Sequence, residues 1–402
     1  MLEIEISYTA GDHEPTFLAL VEEFSQQSGI MVRTRKLAWE TAWVELFTMA
    51  SEGKGSDISS IGSTWVSTLA KLDALRPFKL SEIAEIGAEN AFITPSWHNT
   101  KIVGDQRVWS IPWIGWMYLI TYRKDLLESV GIDSSRAFGT AQSTRDTLAA
   151  LTTSALEIPW LNADYPHPFL DYIHTAASWV WAARGEFTTP TGDKALFDTP
   201  EAISGFADWL NTYRSVPRSY QQLTVAECRD LLIQGHAAAA VVDINVAHTL
   251  LNAEISSVKP ENIGFANLTN TPWIGGGSFV IWEHTRINHE RERAAVELVK
   301  FLSTKKSHLR WRQRADLLPL RMDALKESYP PGNPLHEAVV LASSQGRSYY
   351  NVSLWRRFEA RLCMELGAII KEARENPSAD SKTILQAHLE PLAKQMNMLL
   401  QK

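Results

Sequence analysis

Tryptophan is the residue type in this sequence that most suggests a binding function. The chain of 402 residues contains 15 tryptophans. An indole ring is flat and amphipathic, so it can line a cleft and stack on a ligand that has apolar C–H faces, such as a pyranose. The alternative is a tryptophan-rich core, to which several of the rings are expected to belong. The position of each ring along the chain therefore decides which of them are candidates.

The sequence lacks the local signatures of common catalytic sites. It contains no Gly-x-Ser-x-Gly elbow, no Walker A loop, no Gly-x-Gly-x-x-Gly after a strand and no His-Glu-x-x-His. A glycosidase would need two carboxylates about 5–10 Å apart, and nothing among the 46 acidic residues singles out such a pair. We therefore predict a protein that is not an enzyme.

Charge, apolar run length and cysteine content exclude further classes of protein and of binding site. The net charge of −7 argues against a nucleic-acid binder, whose contact surface would be basic. The longest apolar run, residues 111–122, is too short for a membrane span. Cys228 and Cys363 have no neighbours at metal-ligand spacing, which excludes a zinc site built on thiolates. No cofactor is expected and no residue is assigned as a metal ligand, whereas a metal bound elsewhere and a disulfide between the two cysteines stay open at this stage.

Strand and helix patterns alternate along the first hundred residues. Residues 4–8 alternate apolar and polar side chains like a half-buried strand, and the apolar positions at 17–24 have helical spacing up to a stop at Gly29. A second strand is predicted at residues 30–32 and a second helix at 39–50. This order predicts an α/β domain with a mostly parallel sheet.

The rest of the chain is more helical. Further elements are predicted as helices at 195–213 and 290–302, strands at 237–242, 262–266 and 279–282, a glycine loop at 275–277, and helices after the break at 330–334. No internal repeat or low-complexity tract interrupts this order.

Several short segments occur in a characteristic order along the chain. They include Gly53-Lys54-Gly55-Ser56-Asp57-Ile58, Trp109-Ser110-Ile111-Pro112-Trp113, Tyr122-Arg123-Lys124-Asp125-Leu126-Leu127, Phe197-Asp198-Thr199-Pro200-Glu201-Ala202-Ile203, Gly275-Gly276-Gly277-Ser278-Phe279-Val280-Ile281-Trp282 and Leu317-Leu318-Pro319-Leu320-Arg321. Over nearly the whole chain, this ordered set resembles the extracellular solute-binding proteins of bacterial ABC importers. The resemblance is to the carbohydrate-binding family 1 group, which includes maltose- and oligosaccharide-binding members.

The resemblance implies the fold class and a domain division. It implies an α/β protein of the periplasmic binding protein type II, with two discontinuous α/β lobes and a ligand cleft between them. The N-terminal lobe is expected at residues 1–110 and 272–320, and the C-terminal lobe at 111–271 and 321–402. Ligand would bind in the cleft, and the lobes would close over it by a hinge motion that shifts the population toward the closed state.

The same resemblance implies a function and partners. The expected function is that of the substrate-binding component of an ABC sugar importer, which captures a mono- or oligosaccharide and meets membrane permease subunits as a monomer. Two alternatives stay open: a protein of the same fold for a polyol, a glycerol phosphate or another non-sugar solute, and a glycan-active enzyme.

The expected location also depends on the resemblance. Met1-Leu2-Glu3 leads directly into a strand pattern, so we expect no signal segment within this sequence. The residues alone leave a cytoplasmic protein and a processed exported protein open. The resemblance implies a periplasmic location, or an extracellular one with a membrane anchor.

Candidate ligand contacts in the N-terminal lobe follow the first strands. Asp12 and His13 lie in the turn after strand 4–8, where a carboxylate would accept sugar hydroxyls, although Asp12 also suits a helix N-cap. Trp65 follows a turn at a strand end and is expected to be exposed as a stacking ring. Trp39, which opens a helix, is the other aromatic candidate at this edge.

Candidates also flank the expected crossing between the lobes. Trp113 and Trp116 surround Gly115 in the first crossing segment, where the family often places a ligand-contacting side chain, although apolar packing competes for Trp113. Gly276, Gly277 and Ser278 are predicted to form a turn whose free backbone N–H groups meet ligand oxygens, because a missing Cβ permits close approach.

The C-terminal lobe supplies the remaining candidates. Tyr172 and His174, together with Asp171, precede a tryptophan-containing helix and are expected near the cleft. Asp243 and Asn245 follow the strand at 237–242, where many relatives carry Gly-x-Trp, and this departure favours hydrogen bonding over stacking. Trp355, on a late helix, is a further stacking candidate. Arg347, Tyr349 and Tyr350 are alternatives to it.

Overall fold

A computed structural model describes residues 2–9, 14–165, 171–252, 254, 256–315, 317–353 and 355–400, without the side chains of residues 314 and 315. Its strands are β1 (Glu3–Thr9), β2 (Met31–Leu37), β3 (Ile58–Gly62), β4 (Leu75–Arg76), β5 (Ile111–Arg123), β6 (Ala239–Asp243), β7 (Ile263–Asn267), β8 (Ile274–Trp282) and β9 (Leu318–Pro319).

The α-helices are distributed along the whole chain. They are α1 (Glu14–Ser28), α2 (Trp39–Glu52), α3 (Val66–Lys71), α4 (Leu80–Ile86), α5 (Thr94–His98), α6 (Lys124–Ser129), α7 (Ala141–Thr152), α8 (Asp171–Ala182), α9 (Pro200–Arg214), α10 (Val225–Ile233), α11 (Ile244–Leu251), α12 (His289–Leu302), α13 (Lys305–Ala315), α14 (Met322–Ser328), α15 (His336–Gln345), α16 (Trp355–Glu375) and α17 (Ser381–Leu400). No helix within the described ranges combines the length and apolarity that a membrane crossing requires.

The chain forms two compact units, and each is built from discontinuous segments. Unit 1 comprises Met1–Trp116, Ile274–Pro330 and Ser348–Arg356, and unit 2 comprises Met117–Trp273, Pro331–Arg347 and Arg357–Lys402. This division differs from the expected domain limits at each crossing, and the return of segment 348–356 to unit 1 was not anticipated. Strand β5 supplies its first residues to unit 1 and its last residues to unit 2.

In unit 1, a mixed sheet is covered by amphipathic helices. Strand β1 pairs in parallel with β2 and β3, and β8 lies antiparallel to β3 with Ile58 opposite Ile281. Alternation along β1 buries Ile4, Ile6 and Tyr8 in the same core as the apolar face of α1. That helix ends before Gly29, whose φ of 71° suits a residue without Cβ.

In unit 2, the end of β5 lies between two antiparallel neighbours. Tyr118 is opposite Asp243 of β6, and Leu119 is opposite Asn267 of β7. Helices α8 and α9 pack closely, because a Cβ at Gly205 would stand only 2.5 Å from the carbonyl oxygen of Trp179.

Buried aromatic rings dominate the interior of both units. All tryptophans except Trp39, Trp43 and Trp116 are buried, so most of these rings belong to the core and do not line a surface. Cys228 and Cys363 are buried and are not joined by a disulfide, and burial raises the pKa of each thiol to about 12.

The predicted glycine loop at 275–277 is wrong, because these residues lie inside strand β8. Gly277 pairs with Gly62 of β3. The strand passes so close to β5 that a Cβ at Gly276, where φ is 139°, would stand 1.9 Å from the carbonyl oxygen of Ile114. The glycines therefore permit two strands to approach each other and do not form a turn.

Candidate ligand-binding site

A tyrosine and two aspartates meet at one end of the unit 2 sheet. The Tyr118 hydroxyl donates a hydrogen bond of 2.6 Å to Oδ1 of Asp171, the first described residue of α8. Asp243 is the cross-strand partner of Tyr118 at the end of β6. Burial raises the pKa of Asp171 to about 6, and the negative charge of Asp243 adds to the effect. The two carboxylates are therefore close enough to repel each other.

Asp243 also caps the helix that follows it. Its Oδ1 accepts hydrogen bonds from the backbone N–H groups of Asn245 (2.9 Å) and Val246 (3.0 Å), which fixes the carboxylate at the start of α11. Burial raises its pKa, although these two bonds act in the opposite direction. The side-chain Oδ1 of Asn245 is buried and has no hydrogen-bond partner among the described residues. Asp243 and Asn245, both predicted from the sequence, thus lie together.

Aromatic rings extend from this acidic end of the sheet. The His174 ring stacks on Trp273 with 4.3 Å between centroids and 15° between planes. Trp273 lies 5.8 Å from the ring of Tyr118, and Tyr118 lies 6.4 Å from that of Tyr165. Burial lowers the pKa of His174 to about 3, so its ring is neutral at physiological pH. We call His174, Trp273, Tyr118, Asp171, Asp243 and Asn245 the unit 2 cluster.

Tyr172 lies beside this cluster but points into the core of unit 2. Its ring packs edge-on against Trp209 and Tyr213, and its hydroxyl oxygen accepts a bond from the Tyr165 N–H at 3.1 Å. The ring is buried. Its position therefore corrects the expectation of a cleft-facing side chain, because helix α8 turns Tyr172 inward between Asp171 and His174.

In unit 1, the expected exposure of Trp65 is wrong. Its ring is only 2% exposed, whereas Trp39 is 38% exposed and stacks on it with 5.0 Å between centroids. Trp43 meets Trp65 edge-on at 5.6 Å, and the Arg356 guanidinium lies 5.9 Å from the Trp65 ring. Trp39 covers Trp65, so Trp39 is the ring that can offer a face to a ligand.

The two tryptophans of β5 have different environments. Trp113 is buried, with its ring 4.6 Å from Phe279 and 4.6 Å from Trp311. This packing corrects the prediction that it contacts ligand. Trp116 is half-buried and packs against the edge of the same core, so it stays a candidate.

The backbone of β8 does not provide the free donors expected at Gly276, Gly277 and Ser278. Gly277 and Ser278 are paired with Gly62 and Ile61 in the β3–β8 ladder. Ser278 is also buried. The prediction of a ligand-binding turn is therefore corrected to a strand in the interior of unit 1.

Trp355 is buried at the start of α16, where it stacks on Tyr349 with 4.3 Å between centroids. Because the ring is buried, it does not offer the face that its prediction as a ligand-stacking residue requires. Arg347, one alternative, is held by both carboxylate oxygens of Glu186 at 2.8 and 3.0 Å. Asp12 and His13 lie outside the described residues, so their role stays a prediction.

Sequence reasoning missed Tyr118 and Trp273. Tyr118 lies in the apolar run of β5, and its only signal was a hydroxyl in an otherwise buried strand. Trp273 directly precedes β8, and in that segment the glycine motif alone was interpreted as a ligand-binding feature. Within the described part of the chain, no group of three or more His, Cys, Asp or Glu residues is placed to hold a metal ion.

Solved structures with the same fold cover nearly the whole chain. The sugar-binding protein MalE of Xanthomonas citri matches with a TM-score of 0.80 and 17% identity over 99% of this chain and 97% of that one. Maltose-bound MalE3 of T. maritima matches with a TM-score of 0.79 and 18% identity over 99% and 100%. An ABC transporter solute-binding protein of Agrobacterium radiobacter K84, in complex with ribitol, matches with a TM-score of 0.75 and 14% identity over 99% and 98%.

These similarities establish an α/β fold of the periplasmic binding protein type II. Comparison with curated protein sequences gives no match. The sequence profile described as "Bacterial extracellular solute-binding protein" matches residues 19–334, which is most of the chain. The chain therefore belongs to the bacterial extracellular solute-binding proteins.

Proposed function

We propose that this chain is the substrate-binding component of an ABC sugar importer and that it captures a mono- or oligosaccharide reversibly, without converting it. The observation that carries the proposal is the unit 2 cluster. It places the half-buried ring of His174, which is backed by the buried rings of Trp273 and Tyr118, together with the half-buried carboxylates of Asp171 and Asp243. Family membership supports binding as the activity.

The two kinds of group in the cluster match the two kinds of surface on a sugar. Aromatic rings cover the apolar C–H faces of a pyranose. Carboxylate oxygens accept charge-assisted hydrogen bonds from its hydroxyls. Trp39 of unit 1, with an exposed ring backed by Trp65, provides a further stacking face. We therefore assign sugar contacts in unit 2 to Asp171, His174, Asp243 and Asn245, and the roles of Trp39 and Trp116 in unit 1 stay predictions.

The proposal includes partners and a location. The proposed partners are the membrane permease subunits of an ABC importer, and the protein would meet them as a monomer outside the cytoplasmic membrane. Its net charge of −7 supports no role with nucleic acid. The hinge closure implied by the sequence resemblance stays a prediction.

A polyol is the second candidate ligand. The acceptor oxygens of Asp171, Asp243 and Asn245 would serve the hydroxyls of an acyclic chain as well as those of a ring. One protein of the same fold was solved in complex with ribitol. A glycerol phosphate fits less well, because two carboxylates would repel its phosphate group.

A thermal-shift screen against mono- and oligosaccharides, polyols and glycerol phosphates tests the proposal. A ligand that binds only the folded state stabilises it by about 2.7 kcal/mol at a hundredfold excess over its dissociation constant. We expect a raised melting temperature with one sugar series and no release of product from chromogenic glycosides. A shift with phosphates or peptides alone would contradict the sugar assignment, and glycoside turnover would contradict the binding-only function.

A further inference from the structure

We propose that one end of unit 1 binds the surface of a zwitterionic phospholipid bilayer, with Leu80 and Ile287 inserted among the acyl chains and Lys79 and Arg286 at the phosphate groups. The inference goes beyond the proposed function and does not depend on which solute the protein captures. It comes from two exposed aliphatic side chains, the cations beside them and the groove that they share.

Leu80 and Ile287 are unusually exposed for large aliphatic side chains. They are 85% and 88% exposed, the highest values among the large apolar side chains that the structure describes, and Val44 follows with 65%. Leu80 is the first residue of α4, and Ile287 ends the short turn Glu283–Ile287 that precedes α12. A single exposed aliphatic side chain is ordinary, but two neighbouring ones indicate a surface that meets something apolar.

Contacts at the starts of α4 and α12 show that these two positions are neighbours. The buried guanidinium of Arg76 binds Glu82 in the first turn of α4 at 2.6 Å and Glu292 in the first turn of α12 at 2.7 Å. Lys79 Nζ lies 3.6 Å from the same oxygen of Glu292. Lys79 and Ile287 line one open groove of about 560 Å³. The two aliphatic side chains therefore belong to one patch of unit 1.

Each aliphatic side chain of this patch directly follows a cation. The pairs are Lys79-Leu80 and Arg286-Ile287, and the side chains of both cations are largely exposed. His289, also exposed, lines the same groove. We call Lys79, Leu80, Arg286, Ile287 and His289 the basal patch. An aliphatic group beside a cation suits a bilayer, whose phosphate groups lie directly above the acyl chains.

The charges of the groove favour a zwitterionic lipid over an anionic one. Two cations, Lys79 and Arg286, and two carboxylates, Glu283 and Glu292, line it. Arg286 and Glu283 form an ion pair of 2.6 Å at its rim. A headgroup with one phosphate and one ammonium finds a partner for each charge, whereas a headgroup that is only anionic would be repelled by the carboxylates.

A protein partner fits the basal patch less well than a bilayer does. The centre of a protein–protein interface is depleted in charged residues. Here, exposed charged side chains stand directly beside both aliphatic side chains. In a bilayer the same arrangement is favourable, because the aliphatic groups enter the apolar layer while the charged ends stay at the headgroups.

The basal patch lies at the edge of the unit 1 sheet where strand β3 begins. Ile281 of β8 is opposite Ile58, the first residue of β3, and Trp282 is opposite Leu75 of β4. The patch follows directly after Trp282. Ligands of α/β sheets bind at the other edge, where the parallel strands end. Contact of the patch with a bilayer would therefore leave the expected solute-binding edge of unit 1 free.

Cosedimentation with phosphatidylcholine vesicles tests the inference. We expect the protein to sediment with the vesicles, and the double variant Leu80→Ser, Ile287→Ser to bind them at least about ten-fold more weakly, because it loses two apolar insertions. The double variant Val44→Ser, Val340→Ser also removes two exposed aliphatic side chains and is the matched control. It should bind as the wild type does. Equal binding by the basal-patch variant would overturn the inference, as would absence of wild-type binding.

Salt dependence separates this mode from general electrostatic attraction. Because the charges of the groove balance, raising the salt concentration from 0.1 to 0.5 M should change the binding to phosphatidylcholine by less than about three-fold. Vesicles of phosphatidylglycerol should bind no more tightly. Binding to phosphatidylglycerol alone that disappears in 0.5 M salt would assign the contact to a basic surface and overturn the inference.

Hydrogen exchange measured by mass spectrometry locates the contact. On addition of phosphatidylcholine vesicles, the backbone amides of residues 79–82 and 286–290 should exchange more slowly, and those of α15 should not change. Protection elsewhere without protection of these two segments would contradict the assignment. None of these experiments requires a solute, so the inference can fail while the proposed function stands, and the solute screen can fail while the inference stands.

Discussion

The Tyr118 hydroxyl and the Asp171 carboxylate are joined by a hydrogen bond of 2.6 Å that links strand β5 to helix α8 within unit 2. The bond favours the ionised carboxylate, yet burial and the charge of Asp243 outweigh it and raise the pKa of Asp171 to about 6. The folded protein therefore binds this proton more tightly than the unfolded chain does, where the pKa is near its usual value of about 3.9.

Asp171 is accordingly expected to make the ligand-free protein less stable as the pH rises from about 4 to about 6. In Asp171→Asn this loss disappears. The free energy of unfolding of the variant, relative to that of the wild type, should increase by about 2 kcal/mol between pH 4.5 and 7.5. Urea unfolding at both pH values measures the change. A constant difference between the two proteins would contradict the raised pKa.

The stacked pair of Trp39 and Trp65 predicts two different effects of truncation. Trp65→Ala should lower the free energy of unfolding by about 3–5 kcal/mol, because the ring is buried in the core of unit 1. Trp39→Ala should lower it by about 1 kcal/mol or less, because the ring is exposed. Urea unfolding of the two variants separates these effects. Equal losses would show that the two rings do not differ in burial.

His308 is expected to make the protein sensitive to acid. Its ring is 1% exposed beside Trp113, and neither ring nitrogen has a hydrogen-bond partner among the described residues. Burial lowers its pKa to about 3. Because the folded pKa is lowered, the neutral ring's contribution to stability is complete above pH about 6.5 and is lost as the pH falls toward 3.

In His308→Leu, this source of acid sensitivity disappears. Between pH 7.5 and 5, the variant should lose about 2 kcal/mol less free energy of unfolding than the wild type. Urea unfolding at both pH values measures the loss. His236→Leu, at an exposed position of unit 2, is the control and should follow the wild type. A variant at His308 that is as acid-sensitive as the wild type would contradict the prediction.

His388 is expected to show the opposite pH dependence. Its Nδ1 contacts Glu365, and its Nε2 lies 2.8 Å from Oε2 of Glu372, so one imidazolium links α17 to two carboxylates of α16. Burial acts to lower its pKa, but the two glutamates outweigh burial and raise it. Its stabilising effect is therefore complete below pH about 6.5 and is lost as the pH rises through the raised pKa.

His388→Gln tests this arrangement. At pH 5.5 the variant should be less stable than the wild type by about 1 kcal/mol, the size of a partly exposed ion pair. At pH 8.5 the difference should shrink toward zero. Thermal unfolding at the two pH values makes the comparison, and a larger difference at pH 8.5 would show that the imidazolium does not stabilise the fold.

Elements set by local pattern were predictable from the sequence. The alternation at residues 4–8 identified β1, the helical spacing from Phe17 to Phe24 identified α1, and Gly29 marked its end. Each of these depends on neighbours within about two helical turns, which is the range over which periodicity carries information. Asp243 and Asn245 were predicted for the same reason, since they directly follow a recognisable apolar strand.

The failures depend on contacts between distant parts of the chain. Nothing local shows that Trp39 covers Trp65, so the Trp65 ring was wrongly predicted to be exposed. The glycines of β8 have the sequence pattern of a loop, and the reason for them, the close approach of Ile114, exists only in the folded chain. The unit 2 cluster likewise combines Tyr118 with residues more than fifty positions away, and tertiary packing alone determines that arrangement.

The burial of Cys228 and Cys363 gives the protein a practical use. Both thiols are shielded, and a pKa of about 12 leaves almost no thiolate at neutral pH, so alkylating reagents should ignore them in the native state. A single cysteine introduced at the exposed Ser344 would then be the preferred target of a maleimide dye. The native scaffold is thus already suited to site-selective fluorescent labelling.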